Sequence, residues 1–263
     1  DDYQVRKAAA DRLAEGGDVA RAALDYVAYG PVPEMRFAAR RLVTLIDDTE
    51  FNRRLAEFAA DVDGGRGMTL PGWTEFSALV GRDRAARELF VAMQREEAVL
   101  LQSMFDPTTP QRELDWEGQV TRLLRARIFN QPGEFSIPVG SCATLLFLGT
   151  LPDAKISDAG ASGIRQLTQI PPLSESLAAS RPDNAVRRLI CAWIVHCPNR
   201  SNMILQQRLD AMFQHSLAEC LPLALEMIEP KAEYLALTPA QQMFERRSAV
   251  ECSRMLAVRH GLV

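Results

Sequence analysis

Lysine is almost missing from this chain of 263 residues, which carries it only at Lys7, Lys155 and Lys231. Histidine is as scarce, with three residues, and aromatic side chains make up 7%. No run of about 18 or more apolar residues occurs, so no membrane-spanning helix is expected. The five cysteines, Cys142, Cys191, Cys197, Cys220 and Cys252, form no CxxC pair. Their odd number argues against a closed disulfide framework and leaves the compartment open. P-loop, GxGxxG, HExxH and GxSxG motifs are all absent. The net charge is -4, so a nucleic-acid binder would need its basic residues gathered on one face, and no nucleic-acid partner is expected.

What is present reads as an ordinary globular composition. Hydrophobic residues are 47% and charged residues 24%. A chain of this size buries enough apolar surface to need no disulfide or metal staple. Arginine supplies nearly all the positive charge, and its planar fork suits pairing with Asp and Glu between packed helices. A GC-rich coding bias accounts for the same preference. Abundant Ala, Leu and Arg favour helix over strand. The chain starts Asp1-Asp2-Tyr3 without Met, which implies a removed leader or a trimmed chain.

Start and stop signals then divide the chain into helices. Residues 3–14 end at Gly16-Gly17, and Asp18 caps 19–29, which Gly30-Pro31 terminates. Pro33 opens 34–46, and Asp48 or Thr49 caps a further helix with Phe51, Leu55, Phe58 and Val62 on one face. After the loop Asp63-Gly64-Gly65-Arg66-Gly67 comes a short helix near Trp73, then a long one capped by Asp83 and running to Phe105. Thr109-Pro110 opens a helix carrying Trp116, Val120, Leu123, Leu124 and Ile128. An apolar helix over 142–151 reads as central, and 152–163 reads as a long loop. Asp183 or Asn184 begins 185–197, and further helices are expected over 203–217, 219–228 and 239–260. No segment alternates with period 2, so the expected fold class is all-α.

Two segments repeat. Val5-Arg6-Lys7-Ala8-Ala9 and Met35-Arg36-Phe37-Ala38-Ala39 stand thirty residues apart, each followed by a leucine, Leu13 and Leu42. Val186-Arg187-Arg188-Leu189 and the last helix from Ala249-Val250 to Gly261 look like degenerate further copies. The pattern is similar to the HEAT repeat, an armadillo-type helix pair. There the small Ala lets helices approach closely and the Arg reaches an acidic neighbour. The stretches from Leu70 to Phe90 and from Arg187 to Trp193 resemble a group of bacterial HEAT-like proteins of undefined role, often exported. The resemblance implies an irregular α/α solenoid with a non-repeat middle, and it brings no catalytic residue with it. It implies a cell-envelope or periplasmic location if a leader was removed, and the cytoplasm otherwise. The expected organisation is an N-terminal helical region over 1–130, an irregular connecting segment over 131–173 and a C-terminal helical region over 174–263. The three can equally be one continuous domain.

Candidate chemistry is thin. Asp61-Val62-Asp63-Gly64 opens like a calcium loop, but Gly65, Arg66 and Gly72 occupy positions that need ligand, glycine and ligand, so a helix C-cap is the better reading. Cys191, His196 and Cys197 lie on one apolar helix and point to different sides, which suits buried thiols and not tetrahedral zinc. His215 and Glu219, at i and i+4, read as an exposed helix pair. Asp47-Asp48 reads as capping between two helices, and Glu96-Glu97 as facing water. Ser141 and Cys142 follow Gly140 without a companion base. No catalytic, cofactor-binding or metal-binding residue is assigned, and no cofactor is expected.

The expectation is therefore a non-enzymatic scaffold offering an extended surface to a protein partner. Arg36, Arg40, Arg53, Trp73, Met255 and Val258 are the candidate interaction residues. Met255 and Val258 belong to an apolar C-terminal helix that invites self-association. The rival expectation is an enzyme or small-ligand binder with a pocket around 131–173.

Overall fold

The computed structural model describes residues 2–105, 114–129, 137–171, 173–178 and 184–198, and single positions between 207 and 254. Among the described residues the chain is all-α. It divides into two compact units, Asp1–Met68 and Thr69–Val263. The division falls at the glycine loop after Asp63, inside the region that sequence alone kept whole to residue 130.

Unit 1 holds α1 (Asp2–Glu15), α2 (Gly17–Ala28) and α3 (Pro33–Ala60). Helices α2 and α3 pack through small residues, Ala20, Leu24 and Ala28 against Ala39 and Ile46, with Leu42 and Val43 alongside. Across this hairpin Arg21 Nη1 lies 2.7 Å from an oxygen of Asp47. Helix α3 runs straight through Asp47-Asp48-Thr49, where the sequence predicted a break. Thr44, Thr49 and Asn52 turn their side chains back onto carbonyls four residues earlier, at 3.1, 2.7 and 2.8 Å. Capping residue types are tolerated there because they satisfy themselves within the helix. No Gly or Pro lies between Pro33 and Ala60 to stop it.

Unit 2 holds α4 (Trp73–Val80), α5 (Arg84–Phe105), α6 (Trp116–Phe129), α7 (Val139–Leu148), α8 (Asp158–Thr168), α9 (Leu173–Ala178) and α10 (Ala185–His196). Helix α7 is buried on every side from Gly140 to Leu148, as its uniform apolarity predicts. It packs chiefly on α5, and also on α8 and α10. The α5–α7 crossing is so close that a Cβ on Gly140 would stand 2.3 Å from the Ala92 carbonyl oxygen. The described part of the 131–173 stretch, residues 137–171, thus supplies the centre of unit 2 through α7 and not a connector. The second half of its Gly- and Ser-rich part is helix: Ser157 accepts from the Gly160 N–H at 3.0 Å and starts α8, while 152–157 remain irregular as expected.

Other caps fall where the sequence places them. Asp83 Oδ1 accepts from the Ala86 N–H at 2.9 Å to open α5. Asn184 Oδ1 accepts from the N–H groups of Val186 and Arg187 to open α10. Arg188 on α10 reaches back with two nitrogens to Asp83, at 2.5 and 2.8 Å. Helix α6 begins at Trp116, with Asp115 Oδ1 accepting from the Gly118 N–H at 2.9 Å. The expected start at Thr109-Pro110 lies outside the described residues, as do most of the helices expected after residue 200.

Aromatic rings run in contact through the core. Trp73, Phe76 and Phe90 have ring centres 5.0 to 5.9 Å apart, Phe76 meets Phe147 edge-on at 5.4 Å, and Phe147 stacks on Phe105 at 5.5 Å. Trp193 on α10 is fully buried.

Candidate functional site

The adjacent carboxylates of α5 do not face water together. The backbone leaves the helical region at Glu97 (φ −134, ψ 33), and Glu97 is 9% exposed. Its Oε1 accepts from Ser141 Oγ and from Arg122 Nη2, each at 2.6 Å. Glu96 Oε2 accepts from the Ser141 N–H, also at 2.6 Å. Helix α7 has no side-chain cap of its own at Pro138, so two carboxylates from α5 sit at its amide-rich, positive end. Burial pushes the Glu96 carboxyl above its ordinary range, against the lowering pull of the Ser141 donors.

This node ties α5, α6 and α7 together and leaves little for chemistry. The proton of Ser141 Oγ is committed to a carboxylate already paired with Arg122. Burial, then the charges of Glu96 and Glu97, push the Cys142 thiol up to about 12, so it stays protonated at neutral pH. Sequence reasoning missed the node. Its one available signal was an apolar helix start at Gly140 lacking an N-cap residue.

The remaining titratable candidates are dispersed. Cys142, Cys197 and Cys220 are buried, Cys191 is half-buried, and His196 is exposed. His215 is half-buried and not an exposed helix residue: its Nε2 lies 3.4 Å from Thr168 Oγ1. Its backbone carbonyl accepts from Arg187 Nη1 at 3.2 Å. Burial, then the Arg187 charge, holds its imidazole below the ordinary histidine value. Glu219 lies outside the described residues. Among the described residues no three His, Cys, Asp or Glu side chains converge to hold a metal. Asp61 closes the glycine loop by accepting from the Arg66 N–H at 3.1 Å.

The proposed interaction residues are not brought together. Arg36 and Arg40 stand on the first turns of α3, with Arg36 Nη1 donating to the Gly30 carbonyl at 3.2 Å. Arg53 lies about 20 to 25 Å further along the helix, held between Glu50 and Glu57. Trp73 is no surface anchor. It is 6% exposed, packed on Phe76 and Phe90 with the Arg87 guanidinium 5.1 Å from its ring centre. An indole of this size at the start of a short apolar helix is taken into the core. Met255 and Val258 lie outside the described residues.

Two other features stand out. In unit 1 the outward face of α2 carries Val19, Ala22, Ala23 and Tyr26, at i, i+3, i+4 and i+7, and all are exposed. Val19, Tyr26 and Tyr29 are each 85% exposed, and Phe37 on the outer face of α3, beside Arg40 and Arg41, is 74% exposed. In unit 2 a cleft of about 450 Å³ opens between the end of α5, the start of α6 and the turn after α7.

No family model matches the chain, and no curated protein or solved structure is significantly similar to it.

Proposed function

We propose that the protein is a non-enzymatic helical scaffold that recognises a protein partner through unit 1. The observation that carries this reading is the exposed apolar row of α2, continued by Phe37 on α3. A helix whose two faces are both apolar buries one within its own unit and offers the other to a neighbour. Tyr, Phe and Arg are also the residue types enriched at protein interfaces. The locked state of Ser141, Glu97 and Cys142 speaks against nucleophilic catalysis at the centre of unit 2.

A HEAT-like solenoid arrangement belongs to the same proposal. In support, the repeated segments begin α1 and α3, and Arg36 of the second copy donates to the turn that joins α2 to α3. Self-association through the C-terminal helix is the further part of the reading.

The test places a photo-crosslinking residue at Tyr26, at Phe37 and, as a control, at the exposed Glu175 of unit 2. Tyr26 and Phe37 should give one discrete protein adduct in the source cell, lost on Tyr29→Ser, and Glu175 should give none. Adducts no different from the control overturn the reading.

A further inference from the structure

The α2–α3 hairpin of unit 1 has two unlike sides. The Arg21–Asp47 pair, 2.7 Å apart, marks one of them. At about 100° of helix turn per residue, Asp25 and Arg40 fall on that same side. The opposite side carries Val19, Ala23 and Tyr26 of α2 beside Met35, Ala38 and Leu45 of α3, and all six are exposed. None of the six is charged. Glu34 and Arg41 stand at the outer edge of this side and are opposite in sign.

Helix α1 leaves the side open. Val19 and Tyr26 are each 85% exposed, Met35 is 54% exposed and Leu45 46%. Together the six leave roughly 600 Å² uncovered and mainly apolar, at the top of the ~300–600 Å² range for the largest patch on a monomer. Two such faces brought together bury roughly 1,200 Å², which clears the ~1,000 Å² that a specific interface needs.

Charge decides between occupants. A strongly acidic or basic partner finds nothing on the six residues to select it. A neutral face, in contrast, meets its own copy without opposing like charges. The shape agrees, because a lone helix pair cannot cover its own flat side and takes another helix pair there. Ala23 and Ala38 are small enough to let facing helices come close.

We propose that unit 1 pairs with a second copy of itself across this side, the two hairpins stacking face to face about a two-fold axis. The proposal rests on the docking reading of unit 1 and names the occupant. An area at the low end of the standard range makes the dimer reversible.

Sedimentation equilibrium of the purified full chain tests it. The mean mass should rise from one chain to two between low and high micromolar concentration. Val19→Glu and Met35→Glu each place a carboxylate in the apolar contact and should weaken the dimer by about tenfold or more. Both side chains are exposed in the single chain, so Tm measured where the parent is monomeric should not change. Arg40→Ala, on the charged side, should leave the dimer as it is. A photo-crosslinking residue at Tyr26 in the purified protein should give an adduct of twice the chain mass, joined to a peptide of α2 or α3. A monomer at every concentration, or a dimer that both glutamate variants leave intact, overturns the proposal. The source cell separates this failure from that of the docking reading. A Tyr26 adduct with a different protein, from a chain that is monomeric when pure, overturns the second copy and keeps the docking face. Absence of any Tyr26 adduct, in the cell and in the pure protein, overturns both.

Discussion

Unit 1 fills its α2–α3 hairpin with Ala20, Leu24, Ala28, Ala39 and Ile46, whereas unit 2 is built around Trp73, Phe76, Phe90, Phe147 and Trp193. Tyr26, Tyr29 and Phe37 of the first unit stand outside it, and its fully buried Leu55 and Phe58 lie in the last turns of α3. Small inner residues allow two helices to approach closely but remove little apolar area from water, at roughly 25 cal/mol for each Å². The second unit collects its rings in one contiguous set. Unit 2 is thereby suited to hold a shape, and unit 1 to present side chains.

The largest test of that contrast is Trp193→Ala. Trp193 is fully buried, and its indole nitrogen has no hydrogen-bond partner among the described residues, so the loss is one of packing. The expected cost is about 3 to 5 kcal/mol. Leu24→Ala in unit 1 should cost less, about 2 kcal/mol, because its small neighbours can close the gap. Urea unfolding of the two variants measures both, and equal losses would break the comparison.

Polar contacts should divide in the same way. Ser141→Ala leaves the buried Glu97 carboxylate short of one donor and should cost about 1 to 3 kcal/mol. In unit 1 the Arg21–Asp47 pair is 46% and 42% exposed, so Asp47→Asn should cost below about 1 kcal/mol. A larger loss at Asp47 than at Ser141 would place the critical polar contact in the wrong unit.

Much of the scaffold was legible because its signals are local. Asp83 and Asn184 cap as their types and positions indicate, and the uniform apolarity of 142–148 foretold a central helix. The misreadings share one cause, a tertiary contact acting on a locally ambiguous residue. Asp47 looked like a cap, but Arg21 and the self-satisfied Thr44 and Thr49 keep α3 whole. Glu97 looked solvated, but the uncapped end of α7 draws it inward. Trp73 looked available, but Phe76, Phe90 and the Arg87 guanidinium absorb it. The cleft was not legible at all, since Phe105, Trp116 and Leu151 converge only once α5, α6 and α7 have packed.

Acid should weaken unit 2 through His215. The folded-state pKa is lowered, by burial first and by Arg187 second, while the unfolded chain keeps the ordinary 6.5. As pH falls through 6.5 the unfolded chain takes up the proton first, so the contribution of His215 to stability is present above that value and lost below it. Tm should therefore drop between pH 7.5 and pH 5.5 by more in the parent than in His215→Gln. Unit 1 contains no histidine and adds nothing of this kind to the slope. Identical slopes for parent and variant would show that the imidazole is not held neutral by its surroundings.

The smallest expected effect on stability belongs to the residue most exposed to question, Phe37. A phenylalanine in the ring set of unit 2 is fixed by its neighbours, but Phe37 is 74% exposed and can lose its ring without leaving a cavity. Phe37→Ser should then change stability by no more than about 0.5 kcal/mol, the range of an ordinary surface substitution. Its effect should fall on recognition: the adduct formed from Tyr26 should diminish while the melting curve stays that of the parent. Loss of stability on the scale of a buried phenylalanine, about 3 to 5 kcal/mol, would mean that the ring is covered within the folded chain. Unit 1 would then be a buried layer, and the docking face assigned to α2 and α3 would have to be sought elsewhere.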